Sequence, residues 1–554
     1  MTYVARNTLA ASALVGLALV GWQIAGPSSR AQEAKPPATQ PATRPVPEVK
    51  IDMDKAIAVE LPAVAEALKP AAFQTRVGKS GWVLKIPGDR PIATPAFAEI
   101  DGRGMVFVGG GYGSHEFYAF DARTGEKIWA MTTGDDGPTA AVVEDGYVAF
   151  NTESCTVIVA EARTGKVVWQ EWLGDPLMSQ PAISRGRLFM AHPAGQRGQA
   201  GPNQGANLNA QQQAVNAPPP AQAAQPQPAD VPVTQPAQPA GQAAANAAAP
   251  AKAISHQLLC ADLKTGKHLW EADLPGDIIT APIIDNDQVY FTCFDGTSFC
   301  LDGDGKVVWS KANSGTSAPV VANGQVVITQ KEVAAGGQAF EGMRRLDARF
   351  GRETDPGQIG RAKADYLTRG HAGNIGLPTT QVAALNESVG FASAPAAANL
   401  QAQGGGAAQV NVGNVAEAWA YQGSKAAYAN GCVLNAQGNA LNCVDWHDGQ
   451  TRWRGLASGK EFGENAQIFA PPALGGKFMY LCSVRGHMLC VAQDNGQPRF
   501  IYAFNRPMAF QPTLAGGRMF AGTTQGMLIC LDTADKDADG WTAWGGNAQH
   551  NKKQ

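Results

Sequence analysis

One phrase keeps returning along this chain, and it limits the fold more than any other feature. AFDARTGEKIW, ending at Trp129, comes back as VAEARTGKVVW ending at Trp169, CADLKTGKHLW ending at Trp270, CLDGDGKVVW ending at Trp309 and CVDWHDGQTRW ending at Trp453. Self-similarity at a period of roughly 40 residues points to a solenoid, propeller or array, and it outranks local propensity. Each residue type in the phrase has a physical job. The acid (Asp121, Glu161, Asp262, Asp302, Asp445) closes a strand and can accept hydrogen bonds from the turn backbone. The glycine four residues before the Trp (Gly125, Gly165, Gly266, Gly305, Gly449) allows positive φ, so the chain reverses there. The last residues are β-formers ending in Trp129, Trp169, Trp270, Trp309 or Trp453. Each large ring can bury against the next unit while its N–H finds a backbone acceptor.

A second signature lies about ten residues beyond most of these tryptophans: a small residue or Gln, then proline, then a short apolar run. It occurs at Pro95, Pro181, Pro282, Pro319, Pro472 and Pro512, with a proline-free version around Ala141. Proline is tolerated at the first residue of a strand, so these runs are expected to open the innermost strand of each unit. Two more short strands precede each acid, as in Gln288 to Cys293 and Thr297 to Leu301 around Asp295-Gly296. Four strands per repeat is propeller geometry. Closing positions at Trp129, Trp169, Trp270, Trp309, a degenerate Leu346 to Gly351, Trp453, Phe500 and Ile529 to Asp532 make eight units. The last lacks a credible fourth strand, because Asp535 to Asp539 is too charged. Gly78 to Trp82 matches the tail of the phrase, so residues near 77–84 are expected to complete it. The reading is an all-β, eight-bladed β-propeller of four-stranded antiparallel blades, closed by N- and C-terminal strands, over residues 77–541. Such closure removes exposed sheet edges.

Three tracts break the rhythm. Residues 194–253 are almost all Ala, Gln, Pro, Gly and Asn and are expected to be a disordered insertion in the third blade. Residues 331–417 begin with mixed charge that could be partly helical (Met343 to Arg345, Arg361 to Tyr366) and turn Ala/Gly/Asn-rich, a partly ordered insertion. Residues 32–76 read as a Pro/Ala-rich stalk and short lead-in, and residues 542–554 as a tail. At the start, Arg6, the apolar run from Leu9 to Trp22 and Ser29-Arg30-Ala31 read as an export signal over residues 1–31, with an uncleaved anchor as the alternative. No cysteine precedes Cys155, which argues against lipidation there. The expected location is the periplasm or cell envelope. With 44 Lys and Arg against 47 Asp and Glu, the net charge of -3 offers no long-range pull on nucleic acid or an anionic membrane.

The phrase A-x-D-x-x-x-G-K-x-x-W is similar to the tryptophan-docking motif of the pyrroloquinoline-quinone-like (PQQ-like) repeat superfamily. That superfamily holds both quinoprotein alcohol and sugar dehydrogenases and non-catalytic propellers, such as the assembly lipoprotein of the outer-membrane β-barrel insertion machinery, so fold alone does not assign a function. The dehydrogenase resemblance implies a quinone between a Trp and a vicinal disulfide, beside Ca²⁺ held by carboxylate and amide oxygens, with an Asp as base. This chain has no adjacent cysteine pair and no CxxCH for a covalent haem.

The remaining polar residues give little chemistry. Cys260, Cys300, Cys443, Cys490 and Cys530 all take the repeat position of Ala119, as small buried hydrophobes would. Cys432 with Cys443, across a hairpin turning at Gln437-Gly438, is one candidate disulfide. Cys293 with Cys300 and Cys482 with Cys490, as diagonal neighbours, are others. His115, His447 and His487 have no metal-site spacing, and Gly109 to Ser114 is a hairpin loop because a strand follows it. Trp541 and Trp544 are expected to cap the ring, or else to meet a partner. Two readings follow. The first is a monomeric, non-catalytic scaffold that binds envelope proteins and needs no cofactor. The second is a PQQ- and Ca²⁺-dependent oxidoreductase, which Asn151, Asn313 or Asn465 converging on the axis would favour.

Overall fold

The computed structural model describes residues 45–541 apart from 112–113, 136, 139, 153–154, 175–178, 196–255, 294–295, 313, 316, 334–338, 356, 358, 364–425, 463–468 and 539. Chain contacts separate residues 1–45 from residues 46–554, and the second unit is an eight-bladed β-propeller. From the axis outward, blade 1 is Ala96–Ile100, Arg103–Gly109, Glu116–Asp121 and Lys127–Thr132. The inner strands of blades 2 to 8 are Val142–Glu144, Ala182–Ser184, Ile283–Asp285, Val320–Ala322, Ala427–Ala429, Ala473–Gly475 and Thr513–Ala515. These inner strands touch in order, and Thr513–Ala515 meets Ala96–Ile100 to close the circle. Six of them start directly after the predicted proline. Blade 6 lacks it, which hid Ala427–Ala429 from pattern reading.

The core lies between blades. Phe107, Phe117 and Trp129 of blade 1 pack with Phe150 and Ile158 of blade 2, and the rings of Phe117 and Phe150 stack at 3.9 Å. Full burial of such side chains stabilises by about 1.5–3 kcal/mol each. Outer strands alternate instead, as in Val167–Trp172, because one face meets solvent.

Closure follows the predicted route. Ser80–Lys85 pairs antiparallel with Met527–Asp532, placing Trp82 opposite Cys530 as the outer strand of blade 8. The lead-in before it belongs to the ring as well. Glu48–Asp52 lies parallel along Thr451–Ser458 of blade 6, Ile57–Ala58 parallel along Pro498–Ala503 of blade 7, and Ala71–Gln74 antiparallel to Ser80–Lys85. This strap covers three consecutive outer edges. Val49 and Ile51 face inward, and Gly455 makes the room: a Cβ there would sit 3.0 Å from Ile51 Cδ1. Gly540–Trp541 pairs with the inner strand of blade 7, and residues 542–554, with Trp544, lie outside the described residues.

Two expectations are corrected. Met343 to Arg345 is not helical: Ala339–Asp347 pairs with Gln325–Val333, and Ile359–Lys363 forms the fourth strand, so residues up to 363 build blade 5. The charges follow a period of two. Arg345 turns inward to Asp355, while Arg344 reaches Glu353. The hairpin of blade 6 turns at Gly438-Asn439, since Gln437 pairs with Ala440; Cys432 therefore faces Asp445, and Cys443 faces Leu434. All nine cysteines are buried free thiols. The expected insertion 194–253 and the remainder of 331–417 fall almost wholly outside the described residues.

Candidate functional site

Each repeat phrase makes one joint with the following blade. The carbonyl just after the motif-acid position, which is Ala492 in blade 7, accepts the indole N–H of the preceding blade's Trp. Trp82 donates to Ala122, Trp129 to Ala162, Trp169 to Leu263, Trp270 to Gly303, Trp309 to Ala348 and Trp453 to Gln493, all at 2.8–3.2 Å. The motif glycine lies against the same ring. A Cβ on Gly125, Gly165, Gly266 or Gly305 would come within 2.6–2.9 Å of Trp82, Trp129, Trp169 or Trp270. Their φ angles of 70–81° also favour glycine. The acids tie down the turns: Asp121, Asp262, Asp302 and Asp445 each accept two backbone N–H bonds.

Two joints lack a Trp, and the repeat did not reveal what replaces it. In blade 5 the guanidinium of Arg345 donates to the carbonyl of Trp446 and pairs with Asp355, and both lie at the Gly449 turn. In blade 8 the ammonium of Lys79 donates to Thr533 at 2.9 Å. The docking carbonyl is thus satisfied at all eight joints, as a buried acceptor requires.

The other end of the ring carries the remaining loops. Connections between blades and the hairpins between second and third strands gather there and bond one another: Asn151 to Ser179, Ile279 to Thr292, Ser314 to Gly296 and Met508 to Ser483. Neighbouring blades are belted by Gln180 N to Thr280 O, Gln511 Nε2 to Pro472 O and the Thr513 hydroxyl to Pro95 O, each across the start of an inner strand. Within this belt the buried Ser179 Oγ, Gln180 Oε1, Thr280 Oγ1, Gln511 Oε1 and Thr524 Oγ1 have no hydrogen-bond partner among the described residues. Thr280 is also held at φ 70°, a costly conformation for a β-branched residue. Such groups hold water or the polar groups of a ligand. They are neutral, and so bind without supplying charge.

Two titratable groups on this rim are engaged. Asp277 accepts the Ile278 N–H at 2.7 Å. His487 lies 2.8 Å from Ser483 Oγ, and burial holds its imidazole below the ordinary histidine range, against the pull of Glu461. Among the described residues no three His, Cys, Asp or Glu side chains come together as a metal set. Asn151 is buried and donates to Thr152 and Ser179, whereas Asn313 and Asn465 lie outside the described residues.

A family profile described as "Outer membrane protein assembly factor BamB" matches residues 114–216, 240–405 and 399–544. A curated relative, the quinoprotein alcohol dehydrogenase PedH of Pseudomonas putida, is 30% identical over 140 residues, which is 23% of this chain and 23% of that protein. Among solved structures, BamB from Moraxella catarrhalis is 12% identical with a TM-score of 0.45, the match covering 83% of this chain and 98% of the other. The computationally designed Ika8 protein is 14% identical with a TM-score of 0.46, covering 80% and 98%. Sqt1 of Saccharomyces cerevisiae is 8% identical with a TM-score of 0.46, covering 81% and 97%. Likenesses at this level do not carry a function.

Proposed function

The chain belongs to the PQQ-repeat family described as outer membrane protein assembly factor BamB, and from that membership we propose that it is a non-catalytic scaffold of the cell envelope that binds other proteins. The observation that carries this reading is the commitment of the repeat tryptophans. Trp82, Trp129, Trp169, Trp270, Trp309 and Trp453 each hold the neighbouring blade through the indole N–H, so the ring uses them as mortar. The neutral polar belt around Gln180 and Thr280 suits hydrogen bonding to a partner's backbone or side chains. An export signal over residues 1–31 would deliver the ring to the envelope.

The 140-residue likeness to a quinoprotein dehydrogenase favours a second reading, a PQQ- and Ca²⁺-dependent oxidoreductase. One titration separates the two. Purified chain is mixed with pyrroloquinoline quinone and Ca²⁺ and followed by calorimetry and Trp fluorescence. The scaffold reading expects no saturable binding at high micromolar quinone, together with discrete crosslinks to other proteins in the intact envelope. Saturable one-to-one binding would replace it with the oxidoreductase.

A further inference from the structure

The turn between the third and fourth strands of blade 5, residues 347–352, departs from a pattern that its sisters keep. Three residues after the motif-acid position, the turns of blades 1, 2, 3, 6 and 7 carry Thr124, Thr164, Thr265, Asp448 and Asn495, whose side-chain oxygens accept the backbone N–H two residues on at 2.8–3.3 Å. Blade 5 has Phe350 there. Its backbone is the ordinary one: Asp347 accepts the N–H groups of Arg349 and Phe350, and Gly351, at φ 65°, lies against the Trp309 ring. A phenyl group adds nothing to such a turn, gives up the capping bond and stands 54% exposed.

The surroundings of the ring are cationic. The guanidinium carbons of Arg349 and Arg352 lie 5.0 and 5.3 Å from its centroid. The acids nearest in sequence are engaged elsewhere: Asp347 by the turn N–H groups, Glu353 by Lys311 and Arg344, and Asp355 by Arg345. Among the described residues, therefore, no carboxylate pairs with Arg349 or Arg352. The Trp309 indole donates to Ala348 and fixes the outer strand of blade 4, Val307–Lys311, beside this turn. Across that joint from Phe350, Val307 and Val308 are 56% and 43% exposed. An apolar patch and two guanidiniums thus share one corner of the ring.

We propose that this corner of blades 4 and 5 docks an acidic segment of a partner protein, one that sets carboxylate side chains beside apolar ones. The proposal rests on the scaffold reading and names the chemistry of one of its contacts. A guanidinium held over a ring keeps its N–H fork free, and a carboxylate takes two parallel hydrogen bonds from such a fork. The apolar neighbours cover Phe350 and the valines. Exposed aromatic rings and arginines are the side chains that most often anchor an interface. A protein segment suits the corner better than a polyanion, because the valines offer nothing to a phosphate backbone and a net charge of -3 does not draw one in.

The test titrates the folded full chain into a fluorescein-labelled peptide alternating Glu with Leu, and into its twin with Gln for Glu, and reads anisotropy. Expected is saturable binding of the acidic peptide, about tenfold tighter than the twin and weakened by salt. Phe350→Thr restores the residue of the sister turns, so its urea midpoint should hold or rise while acidic-peptide binding falls about tenfold. Arg349→Gln and Arg352→Gln should each weaken binding and flatten its salt dependence. A lowered midpoint in Phe350→Thr would make the ring structural and overturn the proposal. So would equal binding of the twin, binding that Phe350→Thr leaves unchanged, tighter binding of a single-stranded oligonucleotide or of phosphatidylglycerol vesicles, or self-association that Phe350→Thr abolishes. Crosslinking in the intact envelope separates this contact from the scaffold reading: protein crosslinks that Phe350→Thr leaves intact sink the contact alone, whereas no crosslinks to the unaltered chain sink both.

Discussion

At the scale of single residues, a joint needs one donor, one carbonyl and one gap. The gap can be tested separately from the donor. Gly305 has φ 81°, and a Cβ there would lie 2.6 Å from the Trp270 ring; Gly146 has φ 80° with nothing within 4 Å. Gly146→Ala should therefore cost only the left-handed penalty of about 1–2 kcal/mol. Gly305→Ala should cost about 1–3 kcal/mol more, because the ring cannot move without opening the joint. Urea midpoints of the two variants measure the difference. Arg345→Leu is the corresponding test where no Trp exists. It strands the nearly buried Asp355 carboxylate and leaves the Trp446 carbonyl without its donor, an expected loss of about 3–5 kcal/mol in the same assay. The tryptophans were legible in the sequence because they recur in register with an acid and a glycine. Arg345 does the same job once, while Lys79 satisfies the docking carbonyl from within its own blade, and nothing in a single arginine or lysine announces either.

At the scale of elements, the motif turns carry a pH dependence. At Asp262 the Thr265 hydroxyl leads, with turn N–H groups helping, in holding the carboxyl below the usual carboxylate range. At Asp121 and Asp445 burial works against ionisation, but Arg103 or Arg452 and the turn N–H groups outweigh it. A folded-state pKa below the unfolded value means that the unfolded chain binds more protons. This stabilisation is complete above the unfolded value of about 3.9 and is lost as pH falls through the folded one. Urea midpoints should drop below about pH 4, and Asp445→Asn should flatten that slope; an unchanged slope would remove the turns from the acid response. The strap is the element that sequence reading did not find. Glu48–Asp52 and Ile57–Ala58 are short, have no hairpin partner nearby, and pair with strands about 400 residues away, so neither period nor turn chemistry marks them. Gly455→Val should push Ile51 off blade 6, seen as faster amide hydrogen exchange over residues 48–52 with blade 1 unchanged.

At the scale of the molecule, one residue completes the last blade and locks the first. Trp82 pairs opposite Cys530 within blade 8, while its indole donates to Ala122 and covers Gly125 of blade 1. The two ends of the described residues are fastened at different depths, the N-terminal strands on the outer edges of blades 6 to 8 and Gly540–Trp541 on the inner edge of blade 7. A ring closed this way should unfold as one unit, because separating blade 8 from blade 1 breaks strand pairing and docking together. Trp82→Ala keeps the strand but empties the joint, with an expected cost of about 3–5 kcal/mol and a single unfolding transition. Deleting residues 1–87 removes the strand as well, exposing the ladder edge of Met527–Asp532 and the outer edges of blades 6 and 7. That form should unfold in separate steps and associate through its bare edges, read by urea titration with two probes and by size-exclusion chromatography. Retention of one sharp, monomeric transition after the deletion would mean that inter-blade packing alone holds the circle, and that the N-terminal strands decorate a ring already closed.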